Sequence, residues 1–72
     1  MDIKELVFKE IKKLTKQSFN EETEIKSLNI DSLDLVVLIS DVEQKLKITI
    51  SDEELMSFKY IKDIIVLLNN KI

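Results

Sequence analysis

Apolar residues return every three or four positions over the first stretch of the chain, at Ile3, Leu6, Val7, Ile11 and Leu14. That spacing predicts an amphipathic helix, because residues at such intervals stack on one side of a 3.6-residue turn. Asp2 and Glu5 stand at capping-box spacing at its start, and Lys12, Lys13 and Lys16 suit the negative end of its dipole. From Gln17 to Ser27 the pattern dissolves into polar residues. A loop of that length is expected to be pinned by a few apolar anchors, here Phe19, Ile25 and Leu28.

A second helix is predicted from Asp31 or Ser32, both good N-cap types, to about Leu46. Its apolar residues fall on two faces. At about 100° per residue, Leu35, Leu38, Ile39, Val42 and Leu46 gather on one side as a core face, and Leu33, Val36 and Val37 gather on the other. The second set is bordered by Asp34 and Asp41 on one flank and Glu43 on the other, the pattern of a docking surface. After Leu46, the run Lys47-Ile48-Thr49-Ile50 reads as a short extended link without a strand partner. Ser51 and Glu54 have capping-box spacing and open a short helix through about Phe58. The last helix covers about Tyr60 to Asn70, with Ile61, Ile64, Ile65 and Leu68 on one face. The expected fold is all-α: a small four-helix bundle with a long loop after the first helix and a short third helix, one domain over residues 1–72.

Composition narrows the chemistry by what it lacks. The 72 residues include no Cys, His, Gly, Pro, Trp, Ala or Arg. The usual zinc sites, a thiolate nucleophile and an imidazole base are therefore excluded, and with them Ser-His-Asp catalysis. Without Gly there is neither a P-loop nor a dinucleotide-binding fingerprint. The net charge is −3, and every cation is Lys, so nucleic acid is not an expected partner. No apolar run is long enough to span a membrane, and the first residues lack a signal-peptide h-region. A cytoplasmic location without membrane insertion is expected. The charge is uneven: residues 29–58 carry seven acids against Lys45 and Lys47, a net −5, while residues 1–28 balance and residues 59–72 carry +2. Such an acidic field steers basic partners toward one face.

One hydroxyl stands out by position: Ser32, at the start of the second helix, within Leu28-Asn29-Ile30-Asp31-Ser32-Leu33-Asp34. This stretch resembles the phosphopantetheine attachment site of acyl carrier proteins, in which an aspartate, the modified serine and a leucine follow a loop and open the second helix. The similarity runs through the first helix, the long loop, the Asp31-Ser32-Leu33-Asp34 run, the core face to Leu46, Ile50, Asp52-Glu53-Glu54 and the final helix. The resemblance implies that a phosphopantetheinyl transferase, using coenzyme A and Mg²⁺, joins a 4'-phosphopantetheine arm to Ser32, with Asp31 and Leu33 flanking it. It implies a carrier and not an enzyme, bearing acyl thioesters on the arm's thiol for enzymes of fatty-acid and lipid synthesis with basic docking surfaces, and working as a monomer. Asp34, Val36, Val37, Asp41 and Glu43 would form the face those partners meet. Ser32 has no base beside it in the sequence, so the partner must supply the chemistry.

Several positions depart from the family pattern. Asn29 stands where the family usually has Gly, and Asn is the best-tolerated substitute if that position needs a positive φ. Val37 replaces a frequent acid, and Gln44 and Lys45 thin the acidic surface further. Leu55, Phe58, Ile64 and Ile65 are bulky where small residues help open an acyl pocket, so a small pocket is expected. Two other readings stay open: a carrier for aminoacyl, aryl or polyketide units, and an unmodified helical interaction domain in which Ser32 is a plain helix cap.

Overall fold

The computed structural model describes residues 2–72. Asp2 opens the first helix, α1 (Ile3–Lys12), by accepting at its carboxylate from the amides of Lys4 (2.9 Å) and Glu5 (3.5 Å). Leu6, Val7 and Ile11 are buried on its apolar face, as the spacing predicts. α1 stops earlier than the run to Leu14 suggests. The Leu14 amide donates to the Ile11 carbonyl at 2.9 Å, a tightened last turn that leaves Leu14 packed against the core edge.

The long loop is ordered by its anchors. Ile25 and Leu28 are buried, and Phe19 meets Phe8 of α1 edge-to-face with ring centroids 5.1 Å apart. Backbone bonds join the loop to the start of the last helix: Ile25 donates to the Lys59 carbonyl (2.9 Å), and Lys62 donates to the Glu21 carbonyl (2.8 Å). The only pairing of β type among the described residues is an isolated antiparallel bridge, Glu24 with Tyr60. Ile25–Leu28 forms a 3₁₀ turn, which the polar character of the loop did not predict.

α2 (Ser32–Leu46), α3 (Asp52–Met56) and α4 (Ile61–Lys71) complete the order. The reciprocal capping box of α3 is present: the Glu54 amide donates to Ser51 Oγ (3.2 Å), and the Ser51 amide donates to the Glu54 carboxylate (3.0 Å). α3 ends at Met56 and not at Phe58. The Ser57 hydroxyl donates to the Glu54 carbonyl at 2.6 Å, a local bond that competes with helix continuation, and the chain then turns so that Phe58 packs on the core. At α4 the Asp63 carboxylate gathers the amides of Tyr60 (2.9 Å) and Lys59 (3.1 Å), which holds its carboxyl below the ordinary range.

α1 packs against both α2 and α4. The core joins Ile3, Leu6, Val7 and Ile11 to Leu38, Ile39 and Val42 of α2 and to Ile61, Ile64 and Leu68 of α4, with Ile25, Leu28 and Ile50 filling in from the connections. α3 contributes no buried residue. One face of α2 is thereby consumed and the other left free, as its two apolar sets require.

Candidate functional site

The approach to α2 is set by a backbone reversal. The 3₁₀ turn closes on Asn29, which takes the left-handed conformation (φ 58°, ψ 29°) while its amide donates to the Lys26 carbonyl at 3.2 Å. Asn is among the few residues with a side chain that enter this region readily, so it does here what glycine would otherwise do. Ile30 is half-buried against the core, which fixes where the next residues emerge.

Asp31 then caps α2 in extended conformation. Its Oδ1 accepts from the Asp34 amide at 2.9 Å, and its carbonyl accepts from the Leu35 amide at 3.1 Å. Sequence alone allows either Asp31 or Ser32 as the cap, and the structure assigns the role to Asp31. Ser32 is therefore the first helical residue, exposed, and its hydroxyl makes no hydrogen bond among the described residues. It lies at the positive end of a fifteen-residue helix, where first-turn amides and the dipole favour an attached phosphate. The first turn of α2 thus presents an exposed hydroxyl at Ser32.

Below Ser32 the free face of α2 carries Leu33 (76% exposed), Val37 (58%) and Val36 (47%). Three apolar side chains this open on one short stretch form a patch and not a scatter of single residues. Asp41 is exposed and Asp34 half-buried on the same edge. Glu43 is placed differently from the free rim acid that its position on the helix suggests. It is half-buried, and its carboxylate accepts from the Ile50 amide at 2.9 Å, supplying the partner that the 47–50 link lacks for want of a second strand. Its own carbonyl also takes the Ile48 amide (3.1 Å) and the amide of Lys47, whose φ of 57° ends the helix.

A further charged residue escaped the sequence reading. Glu10 is only 3% exposed, and one carboxylate oxygen meets the ammonium groups of Lys13 (3.0 Å) and Lys45 (3.2 Å). The hydrogen bond from Lys13, aided by Lys45, outweighs burial and holds the Glu10 carboxyl below its ordinary value. The signal was present: Ile3, Val7 and Glu10 recur at positions i, i+4 and i+7, which puts Glu10 on the core face of α1.

Residues 2–68 match the protein family described as "Phosphopantetheine attachment site". The chain belongs to this family, that of the acyl carrier proteins. It is 49% identical to an acyl carrier protein homolog of Mycoplasmopsis pulmonis over 71 residues, covering 99% of this chain and 97% of the relative. An acyl carrier protein of Coprothermobacter proteolyticus is 34% identical, with 96% and 94% covered. In three dimensions the chain superposes on the crystal structure of a Thermotoga maritima acyl carrier protein with a TM-score of 0.79 at 27% identity, covering 99% of this chain and 91% of the other. Acyl carrier proteins are carriers and not enzymes, and their prosthetic group is phosphopantetheine. Membership implies dealings with a phosphopantetheinyl transferase and with synthesis enzymes. Among the described residues, no helix of this carrier protein is long and apolar enough to cross a membrane.

Proposed function

We propose that Ser32 is where this carrier protein takes its phosphopantetheine arm. The observation that carries the reading is the division of labour at the start of α2: Asp31 performs the capping, and the exposed Ser32 hydroxyl is left without a partner. When attached, the arm supplies the thiol on which acyl groups ride as thioesters, a thiol this cysteine-free chain cannot provide itself. Asp31 and Leu33 flank the point of attachment, Asp31 holding the helix start in place and Leu33 offering an exposed apolar contact beside it. Among the described residues, no side chain is hydrogen-bonded to the Ser32 hydroxyl to take its proton: its titratable neighbours in sequence are the carboxylates Asp31 and Asp34, and Asp31 is engaged with the Asp34 amide. The transferase therefore brings the base as well as coenzyme A and Mg²⁺.

Asp34, Val36, Val37 and Asp41 form the face on which partner enzymes with basic surfaces settle, with Glu43 at its far margin. An apolar centre with a charged rim supports this reading, since it gives both contact area and electrostatic guidance. We place the protein in the cytoplasm as a monomeric, one-domain carrier serving fatty-acid or related lipid synthesis. The test is the intact and peptide-resolved mass of the protein isolated from its own cell. The reading expects a phosphopantetheine increment on the peptide holding Ser32, with further mass where acyl cargo is attached; an unmodified Ser32 peptide throughout would overturn it.

A further inference from the structure

Ser32 opens α2 between two carboxylates, Asp31 just before it and Asp34 shortly after. A phosphodiester formed at its hydroxyl adds a further negative charge beside them, and like charges at this range oppose one another even where a helix dipole is favourable. The chain offers little to offset them: from Gln17 to Gln44 it carries seven acids and a single cation, Lys26. Lys26 is exposed on the 3₁₀ turn that leads into α2. Its neighbours Ile25 and Leu28 are buried, and its carbonyl accepts from the Asn29 amide at 3.2 Å, so the root of the side chain is fixed. Its ammonium makes no ion pair among the described residues. The lysines brought alongside the loop are occupied elsewhere. Lys4 pairs with Glu21, and Lys59 and Lys62 hold their ammonium groups over the Tyr60 ring, 5.6 and 5.4 Å from its centroid. From Lys26 to Asn29 the 3₁₀ turn rises about 2 Å per residue, and from Asn29 to Ser32 the chain spans at most about 10 Å. The left-handed reversal at Asn29 bends that path and shortens the direct distance. The four-carbon lysine stem on one side and a phosphate standing out from Ser32 Oγ on the other can close the remainder.

We propose that Lys26 binds the phosphate of the arm: once phosphopantetheine is attached to Ser32, the Lys26 ammonium pairs with its phosphodiester and restrains the root of the arm beside the 3₁₀ turn. The inference rests on the reading of Ser32 as the attachment point and adds a binding residue outside the Asp31-Ser32-Leu33-Asp34 run. The ligand is a singly charged phosphodiester, which lysine meets as a point charge without the fixed fork of an arginine. The pair lies in solvent, so it is modest in strength and screened by salt. In the unmodified protein the Lys26 charge supports no ion pair of the fold among the described residues.

The experiment compares the unmodified and the phosphopantetheine-bearing forms of the intact chain and of K26Q, K26R and K26E. The modified forms are made with coenzyme A, Mg²⁺ and a phosphopantetheinyl transferase and verified by mass; each form is then followed by urea unfolding and, where modified, by the phosphorus NMR resonance of the phosphodiester. Lys26 is exposed, so the variants are expected to fold. At low salt, K26Q is expected to reduce the folded-to-unfolded ratio of the modified form about 2- to 4-fold more than that of the unmodified form, K26E to reduce it further, and K26R to keep most of it. The difference between the two forms is expected to vanish at about 0.5 M salt. The phosphorus resonance is expected to move in K26Q and far less in K26R. A merely structural role for Lys26 would weaken both forms alike. Equal losses in the two forms, or the same phosphorus resonance in the parent and K26Q, overturns the phosphate pairing while leaving Ser32 as the attachment point. A parent chain that takes no phosphopantetheine removes the Ser32 reading and this inference together.

Discussion

At Asn29 and Lys47 the backbone turns left-handed with a side chain present, and the two residues stand differently toward that demand. Asn tolerates the region, so Asn29→Gly is expected to change stability little. A lysine Cβ is crowded there, and the cost of a left-handed residue other than glycine is about 1 kcal/mol. Lys47→Gly is therefore expected to raise the unfolding free energy by roughly 0.5–1 kcal/mol, read as a higher urea midpoint with unchanged slope. Asn29 is legible through the family resemblance, because a residue type that accepts positive φ stands where the family usually has Gly. Lys47 is not: a chain without glycine gives no residue signal for a left-handed helix end. Ser32 is legible as a position and ambiguous as a role, since Asp and Ser cap equally well, and only the 2.9 Å bond from the Asp34 amide to Asp31 separates the two.

At the scale of elements, helices form where the apolar period is strong, and their ends are decided by local polar bonds that periodicity does not encode. Both faces of α2 emerge from spacing alone, with Leu38, Ile39 and Val42 buried and Leu33, Val36 and Val37 open. The end of α3 does not, because the bond from Ser57 Oγ to the Glu54 carbonyl is invisible in a hydrophobic pattern. The link from Lys47 to Ile50 shows the same limit. It looks unpartnered in sequence, and its partner is a side chain, Glu43. Removing that acceptor leaves a half-buried amide unsatisfied, so Glu43→Ala is expected to cost about 1–3 kcal/mol. Hydrogen exchange should show the loss most strongly at the Ile50 amide, and Glu43→Gln should keep most of the protection.

Over the whole molecule, the thin core leaves polar ties between elements to matter more than they would in a larger domain. Glu10 binds α1 to the far end of α2 through Lys45, and its carboxyl is held below the ordinary value in the folded state. The stability it contributes is complete above the ordinary glutamate range and is lost as pH falls through the lower folded value. Asp63, whose carboxyl is also held low by the Tyr60 and Lys59 amides, adds to the same acid limb. Glu10→Gln is expected to cost about 1–2 kcal/mol near neutral pH and to flatten the fall in urea midpoint between neutral pH and the acid range. An unchanged acid limb would show that Glu10 is not part of this tie. The bundle as a whole places one exposed, unpartnered hydroxyl at the head of an apolar, acid-edged face, and that arrangement is the substance of the carrier reading. It is tested most directly by mass measurement of the unaltered protein and of Ser32→Ala after incubation with coenzyme A, Mg²⁺ and a phosphopantetheinyl transferase. The carrier reading predicts one phosphopantetheine on the unaltered protein and none on the folded Ser32→Ala variant; an unmodified parent, or a variant modified to the same extent, would contradict it.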